Sequence, residues 1–117
     1  MMVCSDMPYE VMLLEPATEF LDNLESRLQA KAVRTIGLLR YFGAELPMPH
    51  AKKLTGYDLW ELRVRQGSTI CRLFYFRHED RIFVVTSGYM KKSDKTSPEQ
   101  IKRALRLKAE YLEGTRR

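Results

Sequence analysis

The stretch between Leu59 and Lys95 constrains the fold most, because it predicts three successive β-strands joined by tight turns. Its first turn is set by Gly67 and Ser68, which separate two apolar runs. Such a pair is typical of a two-residue hairpin with positive φ at the glycine. A turn of this length fixes the register, so each residue before it acquires a defined partner after it.

The predicted register divides the hairpin into two faces of opposite character, since successive strand residues point to opposite sides. One face is apolar and pairs Val64 with Cys71, Leu62 with Leu73 and Trp60 with Tyr75. The other face pairs Arg65 with Ile70, Arg63 with Arg72 and Glu61 with Phe74. We expect the apolar face to join the core and the second face to carry function.

The pair formed by Arg63 and Arg72 is the unusual feature of that second face. Like charges opposite each other destabilise a sheet, and arginine keeps its charge at every pH. A fold tolerates such a pair where the side chains reach water, where a carboxylate lies between them, or where they form an anion-binding site. Glu61 shares the face and could supply the carboxylate, so these residues alone leave an ion cluster and an anion site as open alternatives.

The whole chain, residues 1–117, is expected to form one α+β domain with the element order β-αα-βββ-α and a mainly antiparallel sheet. An apolar run over 9–14 predicts a strand inside the sheet. A helical stripe over 16–42 should cover the apolar face, and a break near 26–29 would divide it into a helical hairpin. Its charged side, with Lys31 and Arg34 among others, is expected to face solvent.

The remaining elements follow from local signals. The proline-rich segment 46–50 predicts a connector without regular structure. The strand over 82–86 is apolar on both faces and is expected at a central or covered position. Ser97, Pro98 and Gln100 predict the capped start of a final helix.

The distribution of charged residues along the chain indicates the kind of partner to expect. The 20 Lys and Arg against 15 Asp and Glu give a net charge of +5. The excess lies in residues 60–117, where 14 basic and 7 acidic residues give +7, against −2 in residues 1–59. A basic half of this kind favours a polyanion partner.

Two cysteines provide neither a disulfide framework nor the spacing of a metal site, and Cys71 is expected to be a small buried hydrophobe. No apolar run approaches the roughly 20 residues that span a bilayer. No signal peptide is recognisable at the start. We therefore expect a cytoplasmic protein that has no membrane contact.

Several further side chains are candidates for binding or chemistry. His50 could act as an acid or base, although a loop histidine more often packs or faces solvent. Lys52 and Lys53 are either phosphate contacts or a solubilising pair. After the last strand, lysines could converge on phosphate and an aromatic ring could stack a base or donate its hydroxyl; these residues are Tyr89, Lys91, Lys92 and Lys95.

Four runs in this order resemble the RelE/ParE toxin superfamily, and most of all its HigB-like, phage-derived branch. They are Lys53-Leu54-Thr55-Gly56, Leu59-Trp60-Glu61-Leu62-Arg63, Cys71-Arg72-Leu73-Phe74-Tyr75-Phe76, and the exit segment Gly88-Tyr89-Met90-Lys91-Lys92-Ser93-Asp94-Lys95-Thr96. The resemblance extends over nearly the whole chain, from Tyr9 to Leu112.

The resemblance implies a type II toxin that a co-encoded helix-turn-helix antitoxin neutralises. It implies a metal-independent endoribonuclease, without cofactor, that cuts mRNA on the ribosome through attack of the 2′-hydroxyl on the adjacent phosphate. Clustered arginine and lysine side chains would stabilise the charge of that transition state. Arg72 matches the family's strand arginine at the scissile phosphate, Arg63 matches the arginine ending the preceding motif, and Lys91 and Lys92 match the basic residues after the last strand. The resemblance therefore favours an anion site over an ion cluster, with the guanidinium groups of Arg63 and Arg72 side by side on one phosphate.

The remaining roles are hypotheses, because relatives differ and the exit segment of this chain has no histidine. We assign Glu61 as the general base and Tyr89 or a lysine as the general acid. RNA-binding roles are assigned to Lys52, Lys53, Arg65 and Lys95.

Two other functions are compatible with the same sequence. A ParE-like toxin shares the fold but inhibits DNA gyrase, and Arg72 would then be structural. A non-catalytic, phage-derived nucleic-acid-binding module would bind RNA in a salt-dependent way without cleaving it.

Overall fold

The computed structural model describes residues 8–91 and 95–115, which form a five-stranded sheet with three α-helices. In chain order the elements are β1 (Glu10–Leu13), α1 (Glu15–Asp22), α2 (Ser26–Phe42), β2 (Ala51–Lys53), β3 (Trp60–Gln66), β4 (Thr69–Glu79), β5 (Ile82–Met90) and α3 (Pro98–Thr115). The strand order is β1-β5-β4-β3-β2, with β1 parallel to β5 and the other neighbours antiparallel. The predicted α+β class is confirmed. Within these described ranges, no helix is both long and apolar enough to cross a bilayer.

The β3–β4 hairpin has the predicted register. Gly67 has φ +62°, and Gln66 faces Thr69 across the two-residue turn. Arg63 is paired with Arg72, and every other predicted pair is also found. The register was predictable because a short turn leaves the two strands no freedom to slip.

Helices α1 and α2 cover the apolar face of the sheet, as predicted for a helical hairpin. The core between them and the sheet includes Leu28 and Leu39 of α2 against Leu62 and Leu73 of the hairpin. The break between the helices lies slightly earlier than expected, at residues 23–25. There the Glu25 carboxylate caps α2 by accepting hydrogen bonds from the backbone N–H groups of Arg27 and Leu28, at 3.0 and 3.2 Å.

Helix α3 covers part of the opposite face. Its Ile101 and Ala104 pack with Phe74 of β4 in a second, smaller core that also contains Leu54 and Leu59. The predicted N-cap is present, since the Ser97 hydroxyl accepts a hydrogen bond from the backbone N–H of the third helical residue at 3.4 Å. The backbone N–H of Ser97 itself donates to the Tyr89 hydroxyl at 3.1 Å. The start of α3 is therefore attached to β5 through Tyr89.

The expectation that the first strand lies inside the sheet was wrong, and one strand was not predicted. Strand β1 is at the edge of the sheet, because β5 is its neighbour on one side and Met12 and Leu13 are exposed on it. Residues 51–53, directly after the proline-rich connector, were assigned no element and form β2 at the opposite edge. An edge strand tolerates a nearby proline because its outer N–H groups have no ladder partner to lose.

The end of α2 gives a test of backbone geometry. Gly43 has φ +59° and ψ −130°, and a Cβ added there would overlap the Tyr9 ring. We expect Gly43→Ala to lower the free energy of unfolding by about 2–4 kcal/mol, from backbone strain and overpacking together. Gly37→Ala is the matched control, because its Cβ would meet nothing within 4 Å inside α2. It should stabilise by about 0.5–1 kcal/mol. Urea denaturation measures both, and equal midpoints for the two variants would contradict this geometry.

Candidate functional site

Basic side chains lie in two neighbouring rows on the face opposite the helical hairpin. In the first row Arg63, Arg72 and Tyr89 are opposite one another on β3, β4 and β5. In the second row, nearer the hairpin turn, Arg65 is paired with Ile70, whose carbonyl accepts from the Lys91 N–H at 2.9 Å. We call these two rows the basic face. The sequence predicted the Arg63–Arg72 pair, and the structure adds its alignment with Tyr89.

Arg72 and Glu61 form a buried ion pair at the centre of the basic face. Arg72 Nη1 lies 3.2 Å from Glu61 Oε2, and each side chain is only 1% exposed. The Thr96 hydroxyl accepts from Arg72 Nη1 at 3.0 Å and donates to Glu61 Oε2 at 2.7 Å. Glu61, Arg72 and Thr96 are called the buried cluster below. It connects β3 and β4 to the segment that leads into α3.

Glu61 also compensates the second arginine. Its Oε1 lies 3.8 Å from Arg63 Nε, and the Arg63 side chain is 28% exposed. Of the two alternatives left by the sequence, the carboxylate between the arginines is therefore the one found. The expectation of two guanidinium groups gripping one phosphate is wrong for this conformation, because Arg72 has almost no solvent access.

The hypothesis that Glu61 is the general base meets the same obstacle. A general base must come within hydrogen-bonding reach of the proton it removes. Glu61 is buried, and its Oε2 already accepts from Arg72 and Thr96. The geometry is that of a residue that positions two arginines.

The lysine pair of β2 is divided between the two faces of the sheet. Lys52 is opposite Glu61, on the side of the basic face, and is exposed. Lys53 points the other way, with its Nζ 6.0 Å from the centre of the Trp60 ring. Because adjacent strand residues alternate, only Lys52 can join an RNA-binding surface with Arg63 and Arg65.

The predicted exit-segment residues have different surroundings. The Tyr89 ring stacks on Phe74, with centroids 5.6 Å apart, and its hydroxyl holds the start of α3. Lys91 is half-buried next to the second row, and Lys95 is exposed. Lys92, predicted as a catalytic residue, lies outside the described residues.

A cleft of about 290 Å³ adjoins the basic face at the outer edge of β3. Its walls combine α2 residues with the connector before β2 and with the hairpin; they are Lys31, Thr35, Pro49, His50, Arg63, Val64, Arg65 and Ile70. Sequence reasoning missed this grouping, because it assigned Lys31 to the solvent side of α2. Helical periodicity shows which side leaves the core, but it does not show which sheet edge lies beside it.

The thiol of Cys71 is fully buried on the core side of β4, as predicted. Burial raises its pKa to about 11, so the reactive thiolate is scarce at neutral pH. In a Cys4→Ser variant, which leaves Cys71 as the only cysteine, we expect alkylation by iodoacetamide near pH 8.5 to be at least about 100-fold slower than in urea. Mass spectrometry measures the rate, and rapid labelling of the folded protein would contradict the burial.

No group of three or more His, Cys, Asp or Glu side chains in the described parts of the chain is arranged to hold a metal ion. The arrangement instead offers positive charge, a partly exposed arginine beside a buried carboxylate, a phenol and an imidazole. These groups can stabilise an anion and move protons.

Comparisons with known proteins agree with the fold. The profile of the family described as phage-derived protein Gp49-like matches residues 19–109. Curated proteins gave no match to the sequence. Three similar solved structures are RelE toxins or RelE-containing complexes.

A RelE mutant from E. coli in the free state has a TM-score of 0.62 at 19% identity, covering 86% of this chain and 97% of that one. The archaeal RelE–RelB complex from Pyrococcus horikoshii OT3 has a TM-score of 0.53 at 22% identity, covering 72% and 96%. The toxin–antitoxin complex RelBE2 from Mycobacterium tuberculosis has a TM-score of 0.53 at 23% identity, covering 72% and 99%. The similarity to RelE toxins that the sequence motifs predicted is confirmed at the level of the fold.

Proposed function

We propose that this chain, which belongs to the family of phage-derived Gp49-like proteins, is the toxin of a type II toxin–antitoxin pair and cleaves mRNA on the ribosome. The observation that carries the proposal is the basic face, on a fold similar to that of the RelE toxins. Two of the similar structures are complexes of a toxin with its antitoxin, which supports an antitoxin partner. A helix-turn-helix antitoxin and a cytoplasmic site of action remain part of the proposal.

In the proposed reaction the 2′-oxygen of a nucleotide attacks the adjacent phosphorus, and the bond from phosphorus to the 5′-oxygen breaks. The products are a cyclic phosphate and a free 5′-hydroxyl. Negative charge grows on the phosphoryl oxygens in the transition state, and fixed cations near those oxygens lower the barrier. Arg63, Arg65 and Lys91 are assigned this role, since they lie on the basic face and are less buried than Arg72.

Protons must leave the 2′-hydroxyl and reach the departing 5′-oxygen. Two groups near the ends of the first row can transfer these protons. His50 lies next to Arg63, whose backbone N–H donates to the His50 carbonyl at 2.8 Å, and Tyr89 is opposite Arg72. We assign His50 as the base and Tyr89 as the acid, because the Tyr89 hydroxyl accepts from Ser97 and keeps its own proton available. Glu61 and Arg72 are assigned to positioning Arg63.

Inducible expression followed by mapping of mRNA 5′ ends tests this function. We expect growth arrest together with new 5′-hydroxyl ends inside translated regions, and the Arg63→Ala/Arg65→Ala variant should lose both. Growth arrest with intact mRNA would overturn the proposal.

The burial of Arg72 favours one alternative, a ParE-like toxin in which this arginine is structural. That alternative predicts growth arrest, inhibited DNA supercoiling and unchanged toxicity of the Arg63→Ala/Arg65→Ala variant. Assays of mRNA ends and plasmid supercoiling in the same cultures separate the two functions.

A further inference from the structure

We propose that the cleft between α2 and the β3–β4 hairpin binds a backbone phosphate of the RNA strand, at a nucleotide next to the one that reacts. The inference rests on the proposed function for the identity of the polyanion. The site itself is derived from the shape and charge of the cleft. It assigns a binding role to Lys31 and Arg34, two residues of α2 that neither the motifs nor the basic face includes.

The walls of the cleft come from three separate parts of the chain that are held in place by hydrogen bonds. The backbone N–H of Arg63 donates to the His50 carbonyl at 2.8 Å, which fixes the connector against β3. The Thr35 side chain is buried and its hydroxyl donates to the Lys31 carbonyl at 2.8 Å, within α2. The cleft is therefore built on packed elements, and its shape does not depend on an exposed loop alone.

The charge of the cleft has one sign. Its cationic lining residues are Lys31, Arg63 and Arg65, and none of its lining residues is acidic. Arg34 lines an adjoining cavity that shares Lys31, Thr35 and His50 with the cleft. Among the described residues, the ion pairs of this protein do not involve Lys31, Arg34 or Arg65. A concave surface with uncompensated charge of one sign concentrates ions of the opposite sign.

The size and floor of the cleft define the ligand class. Its volume of about 290 Å³ is just below the roughly 300–1,000 Å³ found for small-molecule sites. The lining is apolar where Val64, Ile70 and Pro49 contribute. A lining of cationic and apolar side chains suits a phosphate with its attached sugar, and lysine and arginine are the usual phosphate contacts of nucleic-acid-binding proteins.

The cleft is continuous with the basic face through Arg63 and Arg65, which belong to both. A strand bound across the basic face could therefore pass over the edge of β3 and place its next phosphate in the cleft. Strand β2 does not block this path, because it pairs with β3 only as far as Leu62. The cleft thus holds the RNA by a contact that is separate from the reacting phosphate.

Equilibrium binding of an oligonucleotide that cannot react tests the proposal. The probe is a fluorescein-labelled 2′-O-methyl oligouridylate, whose blocked 2′-oxygen prevents cleavage, and fluorescence anisotropy gives the affinity at several salt concentrations. Lys31→Ala/Arg34→Ala is compared with Lys102→Ala/Arg106→Ala, which removes the same charge from exposed residues of α3. Neither pair includes a residue assigned to catalysis.

We expect Lys31→Ala/Arg34→Ala to weaken binding by about 5- to 25-fold near 0.1 M salt and to reduce the slope of log affinity against log salt by about 0.7–1.4. The control should change the affinity by about twofold or less. Amide chemical shifts give a second measurement on the wild-type protein, and the probe should move the signals of Thr35, Val64 and Ile70. Equal losses in the two variants, or shifts confined to other residues, would overturn the proposal.

The binding experiment and the cleavage experiment test the two proposals separately. Binding through the cleft by a protein that leaves mRNA intact supports the cleft and refutes the nuclease. Cleavage of mRNA by a protein whose Lys31→Ala/Arg34→Ala variant binds like the wild type refutes the cleft and supports the nuclease.

Discussion

Arg63→Ala is expected to lower the rate of mRNA cleavage by about 10²–10³-fold, the loss seen when one preorganised donor to a developing oxyanion is removed. The effect on folding should be small, because Arg63 is partly exposed and its contact with Glu61 is long, at 3.8 Å. Arg63→Lys should recover only part of the rate, since an ammonium group cannot form the paired hydrogen bonds of a guanidinium. Primer extension on a translated mRNA in a purified translation system measures the rate.

Arg77→Ala is the matched control for this loss. Arg77 is an exposed arginine of β4 that donates to the Asp80 carbonyl at the far end of the strand. Its removal takes the same charge from the same sheet and should leave cleavage within about twofold, as for a surface substitution away from the site. If both variants cleave like the wild type, Arg63 does not act on the phosphate, and the basic face loses its assigned role.

The hairpin shows why part of this molecule could be predicted from sequence. The turn at Gly67 determines the pairing of β3 with β4 locally, so the Arg63–Arg72 pair follows from a few adjacent residues. The helical hairpin was predictable for a similar reason, since its apolar stripe needs the apolar face of that same β-hairpin.

The buried cluster shows what could not be predicted. Its third member, Thr96, is 35 residues from Glu61 in sequence, and no periodic pattern joins them. The cleft depends likewise on where α2 lies relative to the open edge of β3, which is a tertiary relation. Edge positions of β1 and β2 were missed because an apolar or proline-rich run does not reveal how many neighbours its strand will have.

Glu61→Gln is expected to lower the free energy of unfolding by about 3–5 kcal/mol, the cost of leaving a buried charge without its partner. Arginine side chains stay charged in proteins, so loss of a proton does not relieve this penalty. Its side chain is 1% exposed, and Glu61 Oε2 is 3.2 Å from its Nη1. Urea denaturation followed by circular dichroism measures the loss. Glu113→Gln, at an exposed position of α3, should stay within about 0.5 kcal/mol of the wild type.

A second substitution separates charge from packing in the same experiment. Replacing both members, as Glu61→Gln/Arg72→Met, removes the unpaired cation and should restore most of the stability lost in Glu61→Gln. If Glu61→Gln alone unfolds within about 1 kcal/mol of the wild type, Arg72 must reach water in solution. Arg72 would then be available to a phosphate beside Arg63. In that case the active conformation would be the one expected from the sequence, with both guanidinium groups on one phosphate. A large loss, recovered in the double variant, means instead that Arg72 holds Glu61 in place and that Arg63 is the guanidinium left to meet the RNA.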